Sequence, residues 1–320
     1  MEERLVASHG IPFEPVNFSG IRGKGWKSLV TLPSRLLSAA LESKKVLERV
    51  RPNLVIGFGG YISVPGGVMT LLKRHPLVLH EQNSVAGWSN KLLAYGASYI
   101  GAAYPHALPK AEWIGNPLRQ AFTSYPSPDI RFASRVGPLR ILVLGGSLGA
   151  QALNQVVPQA LAKIPMDQRP IVTHQGGIQH IKNLQNQYAE LNVKADLVAF
   201  IDDTAQAMAQ ADLVICRAGA STVTELAAIG AASILVPFPY AVDDHQTHNA
   251  RFLVDAHAAK LIPQQNLTPA LLSEILMKTD RCMLLEQAIA AKKLAKTTAV
   301  ADLVSTCQKL VSQPPTKQSS

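Results

Sequence analysis

Residues 200–250 read FIDDTAQAMAQADLVICRAGASTVTELAAIGAASILVPFPYAVDDHQTHNA, and the two apolar runs inside this stretch, 212–216 and 232–236, decide the fold. Both are short, rich in β-branched or aliphatic residues and separated by a helical pattern, so they read as buried parallel strands. In such sheets ligands bind at the carboxyl ends of the strands. Arg217, Gly219, Ala220, Ser221, Thr222 and Glu225 follow the first run; Asp243, Asp244, His245, Gln246 and Asn249 follow the second. The backbone there can approach a phosphate, and the side chains can meet hydroxyls.

The same rhythm runs outward in both directions. Strand-like runs at 53–58, 77–80 and 99–103 alternate with amphipathic segments in the first half; 140–144, 171–174, 197–201, 213–216 and 233–236 repeat the alternation in the second. Two doubly wound α/β domains follow. PNLVIGFGGYIS from Pro52 faintly echoes ADLVICRAGAST from Ala211, as two similar folds would. Residues 115–138, with Asn116-Pro117, Pro126, Pro128 and Gly137-Pro138, read as a linker or hinge. Beyond Thr268 the pattern is helical, including 288–296 and 300–311, and 313–320 is a polar, frayed tail.

With 320 residues, 47% of them hydrophobic, the chain can bury two sizeable cores. Cys216, Cys282 and Cys307 form no CxxC pair, which argues against a disulfide framework or a zinc site and for a reducing compartment. Glu2, Glu3 and Arg4 stand where a signal peptide would need an apolar stretch, and no run approaches the roughly 18 apolar residues of a spanning helix. A net charge of +9 favours an anionic partner: nucleic acid, nucleotide or acidic membrane. Only 6% of residues are aromatic and no recognition module is visible, so nucleic acid is not expected.

In RILVLGGSLGA, residues 140–150, a strand leads through Gly145, Gly146, Ser147 and Gly149 into a helix. Glycines permit close backbone approach and the helix start offers free N–H groups to an anion; a ligand-free tight turn is the plainer alternative. The spacing is not GxGxxG and the next strand ends in His174-Gln175 instead of an acid, which excludes a dinucleotide dehydrogenase. Glu225, three residues after Thr222, fits a capping box or a carboxylate on a ribose diol, and both can hold. Asp243 or Asp244 reads as a helix cap with His245 exposed, while the amides of Gln246 and Asn249 suit sugar hydroxyls and an N-acetyl group. His245 and His248 are spaced like a metal pair but lack a third ligand, so neither metal nor cofactor is expected.

GFGGYISVPGG from Gly57 supplies another flexible loop, and His80, Glu81, Gln82 and Asn83 at the next strand end suit a polar substrate; HEQN is not the metalloprotease HExxH. Arg119 in GNPLR is either a surface residue or a phosphate contact. Between residues 15 and 41, Arg22, Lys24, Lys27 and Arg35 interleave with Trp26 and several leucines without an acidic residue. That pattern fits docking on anionic lipid as well as an ordinary helix with one core face.

Six segments, in order, carry a family resemblance: SGIRGKG from Ser19, GFGGYIS from Gly57, LHEQN from Leu79, GNPLR from Gly115, LGGSLGA from Leu144, and CRAGASTVTE through DDHQTHNA. Together they resemble the MurG family of glycosyltransferases over nearly the whole chain. The resemblance implies a GT-B fold: two doubly wound Rossmann-like domains facing a cleft. Residues 1–119 would form the acceptor- and membrane-facing domain, 120–297 the donor domain, and the helix 298–312 would pack back on the first.

It further implies inverting transfer of N-acetylglucosamine from UDP to the 4-hydroxyl of an undecaprenyl-pyrophosphoryl muramoyl-pentapeptide, in peptidoglycan synthesis on the cytoplasmic face of the inner membrane. Ser147 and Arg119 would contact the donor diphosphate, the Ile201 backbone would read uracil, and residues Ala220, Ser221, Thr222, Val223, Thr224 and Glu225 would cradle phosphate, with Glu225 on the ribose. Gln246 and Asn83 would hold the sugar. Tyr61, His80 and Glu81 would face the acceptor, and Arg22, Lys24, Trp26 and Lys27 the membrane. A UDP-N-acetylglucosamine 2-epimerase and a non-catalytic binder of the same nucleotide sugar are the competing readings.

The family pattern starts with a strand, a GGTGGH-type loop and a helix, whose loop histidine is considered for acceptor activation. This sequence starts at the segment matching the family's third strand region, and His9, in HGIPF, does not replace that histidine. With the first strand and glycine loop of the N-terminal domain missing, no catalytic residue is assigned; a donor site with little or no transferase activity is the expectation.

Overall fold

The computed structural model describes residues 6, 9–16, 32–146 and 149–312. Arg22, Lys24, Trp26, Lys27 and Ser147, together with the tail 313–320, lie outside the described residues. The chain divides into two compact units: 1–82, 86–113 and 301–320 in one, 83–85 and 114–300 in the other.

In the first unit, helix α1 (Leu32–Val50) precedes strand β1 (Val55–Gly57), helix α2 (Ser63–Leu72), strand β2 (Leu77–Glu81), helix α3 (Trp88–Leu93), and strands β3 (Tyr99–Ala102) and β4 (Glu112–Trp113). The sheet is parallel throughout, ordered β1-β2-β3-β4, with Val55 opposite Leu77 and Val78 opposite Tyr99. Every residue of β2 is buried, which the apolar run 77–79 leads one to expect of a strand covered on both faces and which His80 and Glu81 extend. Leu77, Leu79, Leu93, Ile100 and Leu108 form the core. Gly67 lets α2 settle on Leu93: a Cβ there would stand 2.6 Å from the Leu93 side chain.

The second unit is built from helix α4 (Pro128–Ala133), strand β5 (Arg140–Leu144), helix α5 (Gln151–Ala162), strand β6 (Ile171–Gln175), helix α6 (Ile181–Glu190), strand β7 (Asp196–Val198), helix α7 (Thr204–Gln210) and strand β8 (Leu213–Cys216). Helix α8 (Ala220–Ile229), strand β9 (Ser233–Leu235), helix α9 (His245–Val254), strand β10 (Ala259–Leu261), and helices α10 (Pro269–Lys278) and α11 (Arg281–Lys293) complete it. Helix α12 (Ala299–Ser312) begins at its end and runs into the first unit's last segment. The six strands are parallel in the order β10-β9-β8-β5-β6-β7. From β5 the chain winds outward one way to β7, then returns to β8 and winds the other way. The two directions part between β5 and β8, which is where doubly wound sheets open a crevice.

Residues 115–138 are not the linker that their prolines and sparse periodicity suggest. Phe122 and Phe132 are buried, and Arg131 donates to the carbonyls of Ala209, Ile229 and Gly230 at 2.8, 2.9 and 2.6 Å. Pro128 starts α4 instead of breaking a helix, since its missing N–H and fixed φ suit a first turn. A six-residue helix is too short to show a 3.6-residue period. The two- and three-residue strands Glu112–Trp113 and Ala259–Leu261 escape a sequence reading for the same reason of length. Gly230 ends α8 in the left-handed region, φ 71°, where a Cβ would stand 2.7 Å from Pro128.

At the amino ends of β5 and β8, the buried Asp212 carboxylate accepts from Arg135 Nη1 at 2.7 Å, from the Arg140 N–H at 2.8 Å and from Arg281 Nη2 at 3.0 Å. Burial alone would raise its pKa; the Arg281, Arg140 and Arg135 hydrogen bonds outweigh it and hold the carboxyl below its ordinary value. The group thus joins the turn after α4, both central strands and α11. Removing it takes a fully buried carboxylate away from two arginines that keep only carbonyl acceptors, so Asp212→Ala should cost on the order of 3 kcal/mol in urea unfolding at pH 7. The wild-type advantage is lost as pH falls through the depressed carboxyl pKa.

Candidate functional site

The carboxyl ends of β5, β6 and β8 open into two cavities that share Arg217 in their walls. The smaller, about 210 Å³, is lined by Gly145, Gly146, Gln175, Ile201, Thr222 and Glu225, among others. The larger, about 560 Å³, is bounded by Gly149, Ala150 and Gln151 at the start of α5, and by His180, Tyr240 and Gln246.

Two helices begin here with no side-chain cap: α5 after Ala150 and α8 after Gly219. The first N–H groups of a helix have no partner within it and carry its positive dipole end, so both starts favour an anion. Glycine is required at 149, φ 77°, because a Cβ would stand 2.5 Å from the Gly176 carbonyl oxygen. Gly145 donates its N–H to the Gln175 carbonyl at 3.3 Å, which seats the turn on the end of β6.

Along α8, Thr222 and Glu225 are one turn apart and line the small cavity, whereas Val223 and Thr224 are buried. Thr224 Oγ1 donates back into the first turn and accepts from Asn116 Nδ2 at 3.3 Å, which docks the GNPLR segment on the helix. The capping box expected of Glu225 is absent, since the cap is Gly219 and Glu225 stands a full turn further in than that arrangement needs. Burial pushes the Glu225 carboxyl up to about 7, against the opposing field of Arg119. Arg119 itself is exposed, its guanidinium 5.1 Å from the Phe122 ring centre.

Arg217, left out of the expected donor contacts, is held rigidly between the cavities. Its Nη1 donates to the carbonyls of Val236 and Pro237 at 3.1 and 3.2 Å, its Nη2 to Gln264 Oε1 at 2.7 Å, and the Phe238 ring centre lies 5.4 Å away. The sequence signal was its place directly after β8. Gln246 Oε1 accepts the Phe238 N–H at 2.9 Å, which orients the amide and presents its NH₂ end as a donor. Asp244 adopts the left-handed conformation before α9 and accepts from Thr247 Oγ1 at 2.7 Å; His245 is half-buried, contrary to its expected exposure. Among the described residues no three His, Cys, Asp or Glu side chains group to hold a metal ion.

Asn83 belongs with the second unit. Buried Asn249 accepts from the Ser84 N–H and Oγ at 2.9 and 2.8 Å, so its amide holds the 83–85 segment instead of facing solvent. In the first unit Tyr61 is exposed, while His80 and Glu81 are interior strand residues, 0% and 2% exposed. The Glu81 carboxylate accepts from Asn90 Nδ2 at 2.8 Å and the Gly87 N–H at 3.2 Å. That differs from the expected polar face toward a substrate: β2 runs through both residues, one position further than its sequence indicates.

Residues 140–307 match the glycosyltransferase family 28 C-terminal domain and residues 1–101 the N-terminal domain. A UDP-N-acetylglucosamine–N-acetylmuramyl-(pentapeptide) pyrophosphoryl-undecaprenol N-acetylglucosamine transferase of Albidiferax ferrireducens is 56% identical over 311 residues, 97% of this chain and 80% of that protein. One of the same name from Ralstonia nicotianae is 53% identical over 96% of this chain and 85% of its own length. The crystal structure of Acinetobacter baumannii MurG superposes with a TM-score of 0.86 at 37% identity, covering 97% of this chain and 88% of that one.

The chain belongs to the MurG family.

A UDP-N-acetylglucosamine 2-epimerase from Neisseria meningitidis shares the fold with a TM-score of 0.61 at 11% identity, far from the likeness to MurG. In this chain Glu225 gives a direct test of the cavity's electrostatics. Its folded pKa is raised, so the stability it contributes is fully present below its unfolded value and lost as pH rises through about 7. Glu225→Gln should therefore match wild type below about pH 4 in thermal or urea unfolding and exceed it by about 1–3 kcal/mol above pH 8.

Proposed function

We propose that the chain transfers N-acetylglucosamine, with inversion, from UDP-N-acetylglucosamine to the 4-hydroxyl of undecaprenyl-pyrophosphoryl-N-acetylmuramoyl-pentapeptide. The observation that carries the donor half is the pair of adjoining cavities, one with a half-buried carboxylate, the other at an uncapped helix start, joined at an arginine. A nucleoside diphosphate sugar has that order of parts: a ribose diol for Glu225, a dianion for the helix starts and arginines, a hydroxylated ring for Gln246.

Uracil lies along the backbone at Ile201, and the diphosphate spans Arg217 with Arg119 nearby. The sugar meets the Gln246 NH₂ group and Asn83. Inversion requires the acceptor oxygen to attack C1 from the side opposite UDP, so negative charge builds on the leaving diphosphate as the bond to C1 breaks. Donors fixed beforehand at that position lower the barrier without reorganising. The first unit takes the polyprenyl-linked acceptor, with Tyr61 on that side, and the protein works peripherally on the anionic cytoplasmic face of the inner membrane. No helix among the described residues is long and apolar enough to cross a bilayer.

Two measurements separate binding from chemistry. UDP should bind at least about tenfold more tightly than 2′-deoxy-UDP, and Glu225→Gln should erase the preference, the size expected for one charge-assisted hydrogen bond. Radiolabelled N-acetylglucosamine should move from UDP to a short-chain lipid acceptor, and Gln246→Ala should lower kcat/KM by about 10- to 100-fold for that donor. Equal binding of UDP and its deoxy analogue by the wild-type protein would sink the donor-site assignment.

A further inference from the structure

Behind the glycine turn runs a buried polar chain that none of the donor contacts uses. His174, Asn154 and Tyr188 are respectively 0%, 5% and 2% exposed. His174 Nδ1 lies 3.0 Å from the Tyr188 hydroxyl and its Nε2 lies 3.1 Å from Asn154 Oδ1; Asn154 Nδ2 donates to the Gly176 carbonyl at 3.0 Å.

The far end fixes every proton in the chain. Because Asn154 points its NH₂ at a carbonyl, its oxygen faces the ring, and Nε2 must carry the hydrogen. Nδ1 is then the acceptor and the Tyr188 hydroxyl the donor. The hydrogen bonds all run one way, from tyrosine to histidine to asparagine to the Gly176 oxygen. Burial holds the His174 pKa down to about 3, so the ring stays neutral across the working pH range.

The Gly176 carbonyl is the surface on which the glycine turn rests. A Cβ on Gly149 would stand 2.5 Å from that oxygen, and one on Gly145 would stand 2.9 Å from the neighbouring Gln175 oxygen. A carbonyl at the back of an anion site is a negative dipole end, and turning it into an amide NH₂ removes repulsion from the place a diphosphate must occupy. Asn154 also sits on the second turn of α5, its N–H bonded to the Ala150 carbonyl, so one side chain ties the helix start to the strand end across the turn.

We infer that Asn154, oriented by His174, is a positioning residue for the donor diphosphate: it fixes the glycine turn and neutralises the Gly176 carbonyl behind it. The inference rests on the nucleotide-sugar reading above and deepens it. Tyr188, one link further back, serves the core more than the site, because His174 keeps its Nε2–H directed at Asn154 without the phenol.

The test compares UDP with uridine on the full chain by calorimetry. Uridine occupies the cavity of Ile201 and Glu225 and does not reach the helix start, so the ratio of the two affinities reports the diphosphate position alone. Asn154→Leu should weaken UDP by about 10- to 100-fold and uridine by less than about threefold, the loss of one satisfied buried polar contact near a charge. Tyr188→Phe should lower the melting temperature yet leave the UDP-to-uridine ratio unchanged. Equal losses for UDP and uridine in Asn154→Leu, or a ratio that merely follows melting temperature across both variants, would overturn the positioning role.

If Asn154→Leu gives no cooperative melt, His174→Gln and His174→Met decide. Glutamine can still donate to Asn154 and should keep the ratio, whereas methionine cannot and should lower it; the same ratio in both overturns the role. Failure of wild type to bind either compound would strike the donor site itself, a result distinct from any of these.

Discussion

The second unit of this molecule depends on β5 and β8 lying side by side while their following segments leave in opposite directions. A parallel strand must be reached by a crossover, and crossovers of one hand place successive helices on alternate faces as the winding reverses. Between β5 and β8 no helix can cover the strand ends, so a crevice opens there without any special residue to create it. The sequence then has only to furnish the crevice. Glycines let two backbones touch at 149 and 176, and the helix starting at 151 aims unpaired N–H groups into the gap.

The furniture is assembled by rigid, local means. Arg217 is held by two carbonyls and a glutamine, Gln246 by one backbone N–H, Thr222 and Glu225 by helix spacing alone. Such groups lose little freedom on meeting a ligand, which matters because ordering flexible side chains erodes affinity. Glu225 is the exception in kind. It is kept in surroundings that disfavour its charge, so a ligand that brings hydroxyl donors would offset the cost of burying the carboxylate.

Much of this was legible from residue order. The buried runs at 141–144, 213–216 and 234–235 announce themselves because a strand covered on both faces has to be largely apolar. Glycine turns and strand-end polar residues are legible for the same physical reason: they break the pattern. What stayed hidden depends on contacts distant in sequence. Nothing in PSPDIRFASR shows that Arg131 and Arg135 will plug carbonyls near residues 209–230, so a packed segment reads as a linker. His80 and Glu81 look like polar loop residues until Asn90, nine positions on, turns back to bond the carboxylate. The chain of Tyr188, His174 and Asn154 is spread over three elements and has no sequence signature at all.

The carboxylate of Asp212 stands at the amino ends of the same two strands whose carboxyl ends form the crevice. Cohesion and chemistry are thereby kept a strand's length apart. A change in the loops around the cavities would leave the clasp beneath them untouched. A frame anchored at one end tolerates experiment at the other, which helps a single architecture serve many nucleotide-sugar enzymes.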